Sequence, residues 1–75
     1  MTQVEKTQLV EFLVSQRKKC AEEGREQREL QQYQLNFLNN TIKNKQLAEH
    51  YGTLAMQNET KARTYQEILD FIQEN

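Results

Sequence analysis

Cys20-Ala21-Glu22-Glu23-Gly24-Arg25-Glu26-Gln27-Arg28-Glu29-Leu30 is the stretch on which the arrangement of the whole chain turns. Before it, the apolar residues Leu9, Phe12, Leu13 and Cys20 fall at helical spacing, with Val10 and Val14 widening the stripe. Continued in heptads, the stripe through Leu13 and Cys20 would reach Gln27 and Gln34, which are polar. The next apolar stripe starts instead at Leu30 and Phe37. A change of phase across a glycine suggests a helix end, because glycine takes the left-handed conformation without a Cβ clash. The expectation is a first helix over about 3–22, a turn near 24, and a second helix over about 26–73.

The first helix has a start signal. Thr2 followed by Glu5 has the spacing of a capping box. In the second helix, taking Leu30 as position a puts Leu30, Phe37, Asn44, Tyr51, Asn58, Tyr65 and Ile72 at a. Tyr33, Asn40, Leu47, Leu54, Lys61 and Ile68 then occupy d. Nine of these thirteen are apolar or aromatic, a pattern that favours a long helix with a coiled-coil seam. Leu35, Leu38, Ile42, Ala48, Leu69 and Phe71 lie off that seam and could serve a second face. Gly52 is its weak point, since a mid-helix glycine costs about 1 kcal/mol relative to alanine. Thr53 or Asn58 could cap a third helix beyond it. Two all-α architectures compete: a helical hairpin with a long second arm, and a three-helix bundle broken near Gly52.

Composition narrows the function classes. The chain has 75 residues, a net charge of -1, no Pro, no Trp, two Gly and one Cys. One small helical domain over 1–75 is expected, without a disulfide framework. The mean hydropathy of -0.99 leaves little apolar material for a core. Disulfides, metals and oligomers are the usual remedies for a marginal small domain, and the first needs more than one cysteine. No apolar run approaches the ~20 residues that span a bilayer, and the N-terminus lacks the features of a signal peptide. A cytoplasmic protein is expected.

Catalytic chemistry is hard to assemble from one His and one Cys. Cys20 lies on an apolar stripe, where a buried inert thiol is expected, and His50 on a polar helical stretch. No CxxC, HxxxH or HExxH spacing occurs, so no metal is expected. No cofactor, small-molecule substrate or membrane partner is indicated either. Arg17, Lys18, Lys19, Arg25 and Arg28 interleave with Glu22, Glu23, Glu26 and Glu29, which gives intrahelical pairs rather than a basic face for nucleic acid. Asn40, Asn44 and Asn58 on the seam either fix register or sit where the helix leaves its neighbour.

On the hairpin reading, a short first arm would leave Tyr51, Leu54, Tyr65, Ile68 and Ile72 uncovered. Burial of one such side chain is worth ~1.5–3 kcal/mol. The candidate partner interface is therefore Leu30, Tyr33, Phe37, Leu47, Tyr51, Leu54, Tyr65, Ile68 and Ile72. The partner would be another copy of the chain or another helical protein.

The segment from Gly24 to Leu38 also carries a resemblance. A polar helix end at Arg17-Lys18, a glycine, and then Gln31-Gln32-Tyr33-Gln34 with Asn36 and Leu38 resemble the small needle-subunit co-chaperones of type III secretion systems. The resemblance covers about a quarter of the chain. It implies a helical hairpin that binds a tetratricopeptide-type chaperone and helps keep a needle subunit from polymerising. It would place Tyr33, Phe37 and Leu38 near the hairpin turn or the partner interface.

Overall fold

A computed structural model of the chain describes residues 2–36 and 41–74. Two α-helices hold nearly all of them: α1, Gln3–Leu35, and α2, Ile42–Glu74. Each has 33 residues, so each is about 50 Å long at 1.5 Å per residue. They pack side by side in a hairpin 58 Å long and 14 by 13 Å across. Its radius of gyration is 17.0 Å, against about 11 Å for a compact domain of this length.

Both helix starts are capped by a threonine. The Thr2 hydroxyl accepts from the Glu5 backbone N–H at 3.2 Å and faces the Glu5 carboxylate at 3.1 Å. At α2 the Thr41 hydroxyl accepts from the Asn44 N–H at 3.3 Å and donates to Asn44 Oδ1 at 2.7 Å. These bonds satisfy donors that have no partner within the helix. Thr41 and Asn44 have the capping-box spacing with an amide in place of the acid.

The hairpin class holds, but the turn is not at Gly24. The helix runs through that residue, and so the arms are equal rather than short and long. The expected ranges 3–22 and 26–73 are replaced by Gln3–Leu35 and Ile42–Glu74. The physical reason lies in the two polar residues that seemed to end the stripe. Gln27 and Gln34 do continue the line of Leu13 and Cys20, and both are half-buried. Gln27 Oε1 accepts from Asn58 Nδ2 at 2.8 Å, and Gln34 Oε1 accepts from Asn44 Nδ2 at 2.9 Å. Paired amides satisfy each other, so the seam changes chemistry without changing phase. Gly24 is buried where the helices approach closely. A Cβ built on it would lie 3.5 Å from the Ala55 carbonyl oxygen and the Asn58 Cβ.

The three-helix alternative fails for a similar reason. Gly52, Thr53 and Asn58 all lie inside α2. Thr53 donates to the Glu49 carbonyl one turn back instead of capping a new helix. Gly52 faces the Gln31 side chain, and the ~1 kcal/mol cost of a helical glycine is offset by this packing.

Cross-helix bonds show an antiparallel register. Arg17 meets Gln66, Gln27 meets Asn58, Arg28 meets Glu59 and Gln34 meets Asn44. The same register sets Leu13 level with Leu69 and Cys20 level with Ala62. The buried apolar residues are Leu13, Cys20, Ala48, Ala55 and Leu69. Ala48, Ala55 and Leu69 thus form the inner line of α2, although heptad counting from Leu30 set Ala48 and Leu69 off the seam. In that frame positions a and e, not a and d, turn inward. Alanines there let the two backbones close up, so the leucines at d were displaced to the side.

Candidate functional site

Successive helical residues are turned by about 100°, so positions three and four beyond a seam residue fall on opposite sides of it. Gly24 and Ala55 are seam residues. Three positions on, Gln27 bonds Asn58; four positions on, Arg28 bonds Glu59. These pairs mark the two long flanks of the hairpin.

The Arg28 flank carries charged cross-helix bonds beside the exposed apolar side chains of Val14, Leu35 and Met56. Arg28 and Glu59 form a bidentate pair with Nη2 2.7 Å and Nε 3.3 Å from the two carboxylate oxygens. It is the one salt bridge among the described residues. The hydrogen bond from Arg28 holds the Glu59 carboxyl below its ordinary range, with Arg63 adding to the attraction. The Arg28 guanidinium is raised in turn by that hydrogen bond. Arg17 bonds Gln66, which donates to Asp70 at 2.8 Å. A shallow open depression of about 440 Å³ lies on this flank beside Arg28, Gln31, Glu49, Gly52, Thr53 and Met56.

The Asn58 flank is apolar. Steps of three, four and seven from Asn58 reach Tyr51, Leu54, Lys61, Tyr65, Ile68 and Ile72, and Leu47 lies one heptad before Leu54. The same steps from Gln27 reach Leu30, Glu23, Gln16, Lys19, Phe12 and Leu9 on α1. Leu9, Leu47, Tyr51, Leu54, Tyr65 and Ile72 are half-buried. Phe12, Leu30 and Ile68 keep 56%, 42% and 40% of their surface in solvent. The antiparallel register gathers these residues into two patches. Leu9, Phe12, Tyr65, Ile68 and Ile72 sit toward the chain ends; Leu30, Leu47, Tyr51 and Leu54 sit toward the turn. Lys19, Glu23 and Lys61 lie between them.

The residues expected at an interface are therefore brought to one flank, with two exceptions. Tyr33 stands at its outer edge, 60% exposed, and Phe37 is outside the described residues, as are Leu38 and Asn40. The stated reason for their exposure needs correction. α1 runs beside the whole of α2, so Tyr51, Leu54, Tyr65, Ile68 and Ile72 are not stranded beyond a short arm. Each gives part of its surface to α1 and keeps the rest outside. Sequence reading missed Phe12 and Leu9 as members of this flank. Their signal was spacing: they lie one and two heptads from Lys19 and Glu23, on the side facing Ile68 and Ile72.

Cys20 and His50 are not brought together. Cys20 is a buried free thiol in the seam. His50 is exposed and lies against Tyr51, with ring centroids 5.8 Å apart. The register separates the two by several helical turns. Among the described residues no group of three His, Cys, Asp or Glu side chains could hold a metal ion. No helix among them is long and apolar enough to cross a membrane. Asn44 and Asn58, read as either register-setting or exposed, are paired across the seam. Comparison with protein-family models, curated proteins and solved structures finds no match.

Proposed function

We propose that the chain is a non-enzymatic interaction module that assembles with other helices through the Asn58 flank. One observation carries the reading: large apolar side chains of both arms, among them Leu30, Leu54, Tyr65 and Ile68, line one flank and remain partly in water, while on the opposite flank Arg28 and Glu59 bond across the two helices. A two-helix hairpin has little interior. Among the described residues five apolar side chains are buried, so further burial on this flank would add directly to a marginal stability. Helices laid along it would extend the coiled-coil packing that α1 already makes on α2. The buried unpaired thiol of Cys20 fits work in a reducing compartment such as the cytoplasm.

The test is retention of partners by the full chain in its native host. Leu54→Glu and Ile68→Glu should abolish retention of other helical chains, including differently tagged copies of this one. Met56→Glu, on the other flank, should leave retention intact. Equal retention by all variants would refute the reading.

A second reading is a small chaperone that masks one helix of a dedicated client, in the manner the secretion-system resemblance implies. The two-arm hairpin with its partly exposed apolar flank favours it. A 1:1 complex with a single client, and a lone chain that does not self-associate, would distinguish it.

A further inference from the structure

We draw no further inference here: the strongest candidate, the partly exposed apolar flank that Leu9, Phe12, Leu54, Tyr65 and Ile68 build along the two helices, belongs to the site already described, and nothing in the structure shows what covers it.

Discussion

The two ends of the hairpin are held together by different chemistry. Toward the chain ends, the seam is apolar: Leu13 and Leu69 are level with each other and keep 4% and 2% of their surface in solvent. Toward the turn, the seam is built from amides and small residues. Gln27 meets Asn58, Gln34 meets Asn44, Gln31 covers Gly52, and Ala48 and Ala55 admit the close approach. Apolar contact stabilises but tolerates sliding by a heptad. An amide pair stabilises less, about 1 kcal/mol net, yet a slip would bury its donors unpaired. One half therefore supplies most of the energy and the other most of the register.

Four substitutions or conditions test that division. The largest effect should come from Leu69→Ala, which removes the most deeply buried large side chain. A loss of ~2–5 kcal/mol is expected, enough to unfold a hairpin of this size, as circular dichroism melts would show. A loss under 1 kcal/mol would mean that the apolar half is not the main source of stability.

Asn58→Ala should cost less, ~1–3 kcal/mol, because it strands the half-buried Gln27 amide. The change should be read by denaturant titration beside the double variant Asn58→Leu with Gln27→Leu. That pair is expected to recover the stability but to relax the register, seen as multiple backbone amide signals in NMR spectra. A single sharp set of signals would show that the amides are not what fixes the alignment.

Gly24→Ala works in the opposite direction. Gly24 is helical rather than terminal, and an added Cβ finds 3.5 Å of room at its nearest neighbours. Stability should rise by ~0.5–1 kcal/mol. A turn at this residue would make the same change destabilising, so the melting temperature tests the equal-armed hairpin directly.

The smallest effect is the pH dependence of the Arg28–Glu59 pair on the turn half. The Glu59 carboxyl titrates lower in the folded chain than its ordinary value of 4.5, chiefly because Arg28 donates to it. Its contribution is thus fully present above that ordinary value and is lost as pH falls through the lowered folded one. Glu59→Gln should remove this part of the acid dependence and barely move the midpoint at pH 7, because the pair is solvent-exposed. An equal acid loss in the variant would place the sensitivity elsewhere.

Much of this was legible in the chain itself. The absence of proline, the helix-forming composition, the 3.5-residue spacing of the apolar residues and the cap at Thr2 point to amphipathic helices and away from strands, without deciding between two helices and three. They also mark Leu30, Leu47, Leu54, Ile68 and the tyrosines as one stripe. The place of the turn was not legible, because Gly24 and the polar Gln27 and Gln34 beyond it read locally as a helix end. Placing the turn elsewhere requires knowing that Gln27 and Gln34 have amide partners on the other helix, which is a property of two distant segments together. For the same reason only the packed hairpin could show that alanines take the seam and push the leucines aside. Periodicity gives the direction in which a side chain points on its own helix; what that side chain meets there is set by the second helix and its register.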